Sequence, residues 1–180
     1  MQLPARIKLE EGLALRVPQI EDAEALYSWA SDPEVTRYLG FKPHADLEES
    51  RAVLRGWEKA WAELGGRLTP CRALAYLIEW RGEAVGSLSV LPLRFGDELG
   101  YALAKKAWGQ GVASAAVRGF SDWLLEHGRP RITATAHVKN AASHRVLEKA
   151  GFVQEGRLRS YFFFPNLGER ADGYLFARVK

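Results

Sequence analysis

Between Glu98 and Ser114 the chain reads Glu-Leu-Gly-Tyr-Ala-Leu-Ala-Lys-Lys-Ala-Trp-Gly-Gln-Gly-Val-Ala-Ser: a short strand, a brief loop and two glycines at a helix entrance. The first turn of a helix leaves backbone N–H groups without intrahelical partners, and the aligned peptide dipoles add partial positive charge there. Gly109 and Gly111 carry no side chain, so an anion can approach those amides closely. The segment is an anion cradle, and phosphate is the anion it suits. The dipole contributes roughly 0.3–2 kcal/mol, so tight binding of a phosphorylated ligand needs further contacts elsewhere.

The 180 residues suffice for one domain spanning 1–180 with a sizeable core. No apolar run approaches the length of a membrane span, and Met1 to Lys8 lacks the apolar stretch of a secretory signal. Cys71 is the sole cysteine, which excludes an intramolecular disulfide and points to a reducing, cytoplasmic setting. Lys and Arg number 25 against 22 Asp and Glu, and the two signs are interspersed. A nucleic-acid binder concentrates its basic residues in one stripe, so neither nucleic acid nor membrane is expected as a direct partner. The four histidines and the cysteine show no metal-ligand spacing, and no metal is expected.

The apolar pattern divides the chain into elements without repeats or linkers. Leu13, Leu15 and Val17 alternate as a strand, and Ala23, Leu26, Tyr27 and Ala30 recur as a helix that stops before Pro33. Asp46 and Glu49 have capping-box spacing ahead of a second helix carrying Val53, Leu54, Trp57, Trp61 and Leu64, closed by Gly65-Gly66. Strands at 73–80 and 84–91 flank the turn Arg81-Gly82-Glu83 as a hairpin, and Glu98 to Leu103 is the next strand. A helix through Ala113, Val117, Phe120 and Leu124, a strand at 132–138 and a helix from Ala142 to Ala150 capped by Gly151 follow. Strands at 152–159 and 172–179 end the chain. The order βααβββαβαββ implies a mixed α/β (α+β) sheet with helices on its faces.

Trp108-Gly-Gln-Gly-Val-Ala113 resembles the coenzyme-A pyrophosphate loop of the GNAT N-acetyltransferase superfamily, with Gly111 and Ala113 at its last two fixed positions and Trp108 where Arg or Gln is usual. Asn140-Ala-Ala-Ser143, continuing to Gly151-Phe152, resembles the family's second coenzyme segment. Asp32 to Leu39, Glu98-Leu-Gly-Tyr101 and Asn166 to Asp172 resemble the RimJ/RimL branch, the ribosomal-protein N-terminal acetyltransferases. The ordered set spans essentially the whole chain. It implies a GNAT fold: a mixed, mostly antiparallel central sheet of about seven strands, splayed at the coenzyme site, with helices on both faces. The implied co-substrate is acetyl-CoA, and the implied reaction is direct attack by an amine in a ternary complex, which leaves Cys71 as a small structural side chain.

The resemblance implies that the amides of Gly109, Gln110, Gly111, Val112, Ala113 and Ser114, with Trp108 beside them, hold pyrophosphate. It implies that Ala102-Leu103 pairs with the pantetheine arm as an extra strand would, and that Asn140 meets the coenzyme. Ser143 matches the proton donor to the departing thiolate, or is a solvated helix serine. Glu155 and Glu98 are the base candidates, with Glu155 preferred because it matches a carboxylate of the RimL-type enzymes. His137 and His144 match no catalytic position and are given packing or surface roles.

For the acceptor, an α-amine with pKa about 7.7–8.0 costs roughly 1–1.4 kcal/mol to neutralise at pH 7, against about 4.6 for lysine. One modest carboxylate base therefore suits a protein or peptide N-terminus. Trp29, Tyr38, Trp57, Tyr161, Phe162, Phe163 and Phe164 are the candidates to line the acceptor pocket. The run 161–164 cannot all face one side of a strand, so some rings are exposed, cover a pocket, or join a second copy in a homodimer. The alternatives are a small amine acceptor (polyamine, antibiotic or amino-acid conjugate) and a coenzyme-A sensor without turnover. A dinucleotide-binding domain fits poorly, because Ser114 stands where that fingerprint needs Gly or Ala and the hairpin breaks the βαβ order.

Overall fold

The computed structural model describes residues 1–180. Eight strands form one sheet in the order β1-β2-β3-β4-β5-β6-β8-β7. These are β1 (Arg6–Glu10), β2 (Leu13–Arg16), β3 (Leu74–Trp80), β4 (Glu83–Leu93), β5 (Gly96–Leu103), β6 (Arg131–His137), β7 (Val153–Phe164) and β8 (Glu169–Val179). The helices are α1 (Ala23–Ala30), α2 (Pro33–Thr36), α3 (Leu47–Leu64), α4 (Val112–Glu126) and α5 (Ala141–Lys149). The sheet thus has eight strands where the sequence predicts about seven. The added strand, Arg-Ile-Lys-Leu-Glu, offers only two apolar residues among charges, too little alternation to stand out. The four-residue helix α2 is likewise too short for a periodic signal, although Asp32 caps it by accepting from the Glu34 N–H.

All neighbouring strands run antiparallel except β5 and β6, which are parallel. That pair is also the shortest: only Asp97 with Ile132 and Glu98 with Thr133 are in register. Beyond them β5 continues to Leu103 and β6 to His137 without pairing, so the sheet opens in a wedge from Glu98 onward.

Side-chain alternation gives the two walls of that wedge two distinct faces. Leu99 and Leu103 of β5 and Ile132, Ala134 and Ala136 of β6 join the main core with Val117, Phe120 and Leu124 of α4 and Leu147 of α5. Ala102 and Ala104 turn the other way, into a second cluster with Leu26 and Trp29 of α1 and Leu54 of α3. Glu98, Thr133, Thr135 and His137 share that second face by the same alternation.

The root of the wedge is held by charge. Asp97, fully buried, takes a bidentate pair from Arg129, with Nε and Nη2 each 2.5 Å from a carboxylate oxygen. Arg129 follows α4, so the pair ties the start of β5 to the connection entering β6. Removing one partner of a buried pair costs about 3–5 kcal/mol because the other charge stays desolvated. Arg129→Met should therefore lower unfolding free energy by about that amount in urea denaturation; a loss under about 1 kcal/mol would show that the pair does not hold the strands.

Candidate functional site

The wedge opens into a cleft of about 960 Å³ lined along β5 from Glu98 to Leu103 and along β6 from Thr135 to His137. One end is closed by the α4 entrance and the first turns of α5. The other is closed by α2 with the loop after it and by the β7–β8 hairpin.

At the α4 end, a 3-10 turn over Lys105–Ala107 leads into Gly109 (φ +74°) and Gly111 (φ +80°), the latter the N-cap of α4. A Cβ at either glycine would meet no atom within 4 Å, so the left-handed backbone, rather than crowding, calls for glycine. None of the N–H groups from Gly109 to Ser114 donates to another part of the chain. A run of six free amides converging on a helix start is the donor set a pyrophosphate needs. Trp108 fixes the loop by donating its indole N–H to the Leu103 carbonyl at 2.7 Å. Gln110 does not line the cleft, since its side-chain amide donates back to the Lys106 carbonyl.

Across the wedge, Asn140 caps α5 by accepting the Ser143 N–H at 3.1 Å, which leaves its side-chain NH2 free. The Ser143 hydroxyl lies 2.7 Å from the Tyr101 hydroxyl, so these two side chains bridge β5 and α5 on the main-core face. Burial pushes the Tyr101 phenol up to about 12, partly offset by its bond to Ser143. The pair stays protonated at neutral pH. Tyr101 has no assigned role in the sequence motif that contains it; its phase with Leu99 and Leu103 is the signal that sets it on this face.

Glu98 lines the cleft on the opposite face of β5. Burial pushes its carboxyl above the usual range, with a hydrogen bond to Thr135 pulling the other way. The cleft's other carboxylate, Glu34, is paired with Lys105, which leaves Glu98 without a cationic partner. Glu155, preferred from the sequence, is not brought to the cleft. It is exposed on the edge strand β7 and forked by Arg131, with one contact at 2.9 Å, and that guanidinium holds its carboxyl below the ordinary value. Resemblance of sequence placed it correctly on β7 but could not tell that the strand start lies away from the wedge.

The aromatic candidates separate in the same way. Tyr38, Tyr161, Phe162 and Phe164 line the cleft; Trp29, Trp57 and Phe163 do not. Trp29 is buried in the second cluster and Trp57 packs against it, as the apolar faces of α1 and α3 require. Phe163 is half exposed on the far side of β7. Tyr161 and Phe162 both reach the cleft because Ser160 (φ +47°) sits in a bulge that breaks the alternation, its N–H donated to Asp172 at 2.8 Å. Asn166 latches this hairpin to the α2 side, donating to the Thr36 and Phe41 carbonyls at 2.6 and 2.7 Å. His137, given a packing or surface role from the sequence, also lines the cleft between Tyr38 and Phe164, with ring centroids 4.8 and 4.6 Å away.

A family model described as an acetyltransferase (GNAT) domain matches residues 13–153. The chain belongs to the GNAT acetyltransferase family. It is 30% identical over 174 residues, 94% of each chain, to the uncharacterized N-acetyltransferase p20 of Bacillus licheniformis. Among solved structures it is similar to the microcin C7 self-immunity acetyltransferase MccE in complex with acetyl-CoA and AMP (TM-score 0.84, 19% identity, 99% and 98% of the two chains covered). It is also similar to RimL, the ribosomal L7/L12 α-N-protein acetyltransferase, in complex with coenzyme A (TM-score 0.82, 24% identity, 97% of each). The chain is thus a GNAT N-acetyltransferase, and enzymes of this family take the acetyl group from acetyl-CoA. The free amides of residues 109–114 and the unpaired edges of the wedge are the fittings such a donor requires.

Gly111 holds a left-handed backbone (φ +80°), which costs a residue with a Cβ roughly 1–2 kcal/mol. Gly111→Ala should weaken coenzyme-A binding by about tenfold in calorimetry, 1.4 kcal/mol being a factor of ten. An unchanged affinity would mean that the glycine turn does not shape the anion site.

Proposed function

We propose that this chain acetylates the α-amino group of a protein or peptide N-terminus, with Glu98 as the base. The observation that carries this reading is the position of Glu98: the cleft's one carboxylate without a cation, half-buried at the root of the wedge, on the face opposite the hydroxyl pair. Acetyl-CoA supplies the acetyl thioester. The amides of 109–114 and the Asn140 side chain hold its phosphate end and the start of its arm, and the edges of Leu99–Leu103 offer ladder hydrogen bonds to the arm's own amides. Glu98 takes the ammonium proton, directly or through one water, so that a neutral nitrogen attacks. The Tyr101–Ser143 pair offers a proton on the other side of β5, where the thiolate leaves, and its high pKa keeps that proton in place.

Similarity to RimL, whose name describes α-amino acetylation of a ribosomal protein, supports this acceptor class. A polycationic amine is disfavoured: Arg37 stands in the acceptor half without an ion-pair partner, and the cleft offers a single free carboxylate. A small aromatic or nucleotide-like amine would find the Tyr38, Tyr161, Phe162 and Phe164 rings congenial, and a panel of peptides and small amines separates it from the peptide reading. Binding of coenzyme without release of thiol to any amine would favour a sensor instead.

A base works only when deprotonated, so activity should fall as pH drops through the raised Glu98 pKa, above the range of an ordinary carboxylate. Glu98→Gln should lower kcat/KM by about 10²-fold at pH 7, the scale of general-base catalysis, and abolish that acid limb, while Glu155→Gln stays within about twofold. Wild-type rates in Glu98→Gln, with the limb intact, would move the base elsewhere.

A further inference from the structure

His137 is among the most buried polar side chains of the protein, 2% exposed, and its Nε2 has no hydrogen-bond partner. Nδ1 accepts the Lys139 N–H at 3.0 Å, so in the neutral ring the proton resides on Nε2. Neutrality is itself favoured: burial, then the cation of Lys139, hold the ring's pKa below its ordinary value. A neutral imidazole with Nδ1 turned to the backbone leaves one N–H donor unmade, which costs about 1–3 kcal/mol in a buried position.

His137 lines the half of the cleft where the acceptor is proposed to lie, and its Nε2 is closed to solvent in the free protein, so a ligand reaches it only when the rings around it give way. His137 closes β6 on the face shared with Thr135, the hydrogen-bonding neighbour of Glu98. Thr135 and His137, two residues apart along β6, are about 6.7 Å apart, so an amine held beside Glu98 and Thr135 has its neighbouring polar atom on the His137 side. Tyr38 stacks on one side of the ring and Phe164 meets it edge-on, both from the elements that Asn166 latches together around the acceptor half. The group missing from this wall is a hydrogen-bond acceptor.

We propose that His137 is a specificity-determining residue whose Nε2–H donates to the carbonyl oxygen next to the acceptor amine, selecting amines that carry an adjacent carbonyl, as every peptide N-terminus does, over simple alkylamines. This rests on the reading that acetyl transfer takes place beside Glu98. The cost of leaving the donor unmade is then recovered only when a carbonyl-bearing substrate binds.

The test compares L-phenylalaninamide with 2-phenylethylamine, which lacks only the carboxamide, in wild type, His137→Phe and His137→Gln. The phenyl ring of the first variant keeps the stack on Tyr38 but donates nothing; the glutamine amide restores a donor near Nε2. Because the two amines differ in basicity, the quantity read is the change in their kcat/KM ratio between variants. The ratio should shift toward 2-phenylethylamine by about tenfold or more in His137→Phe and return in part in His137→Gln, with coenzyme-A affinity reporting that both variants fold. A ratio unmoved by His137→Phe overturns the proposal. Independently of turnover, the 15N-coupled Nε2 proton of His137 should shift downfield when N-acetyl-L-phenylalaninamide is added to the coenzyme-A complex. No shift at saturating ligand overturns the proposal too. Failure of both amines to react with a shift still seen would instead count against Glu98-assisted transfer, and leave the His137 contact standing.

Discussion

Two parallel strands that hydrogen-bond over only two residue pairs and then part are the constraint from which the site follows. Parallel neighbours cannot be joined by a tight turn, so β5 must cross over to β6 through α4. The crossover begins with Trp108 to Gly111, and its helix enters the layer beside the opening. A sheet interrupted in its middle would ordinarily leave buried amides and carbonyls unsatisfied. Here the opening is a concave cleft, flanked by amides that a peptide-like, phosphate-ended molecule can satisfy. The buried Asp97–Arg129 pair stands where the pairing ends, so the charge pinning the strands together lies one residue from the carboxylate assigned to chemistry.

The same alternation that builds the core divides the work of the site. Residues of β5 facing α4 are two leucines and Tyr101, whose hydroxyl reaches Ser143 on α5. Residues facing α1 are Glu98 and Ala102, with Thr135 and His137 beside them on β6. The proposed base and proton donor thereby stand on opposite faces of one strand, with the gap between the strands beside them. Burial raises the carboxyl of Glu98 and the phenol of Tyr101 alike. The first is made more basic, and the second stays protonated at neutral pH.

Much of this was legible in the sequence, and the limits are physical. The glycines at 109 and 111, Asn140 as a cap and the glycine-closed helices are local signals, encoded within a few residues, and each is found where the pattern put it. The capping box at Asp46 is present in shifted form: Asp46 accepts from Glu49, but Glu49 reaches back to the Ala45 N–H. What the sequence hid depends on register and on distant partners. Glu155 is the carboxylate the sequence prefers, but pairing with β8 places it on the outer strand beside Arg131. Tyr161 escapes alternation through a bulge at Ser160 that no propensity announces. The unpartnered Nε2 of His137 is visible only once its surroundings are in place.

The central claim, that the wedge and the 109–114 amides together form the coenzyme site, is tested most directly by backbone hydrogen exchange with and without coenzyme A. Binding should slow exchange at residues 99–104 and 109–114, while the amides of β1 and β2 on the far edge of the sheet stay unchanged. Protection confined to other segments, with these two left as fast as in the free protein, would contradict the account.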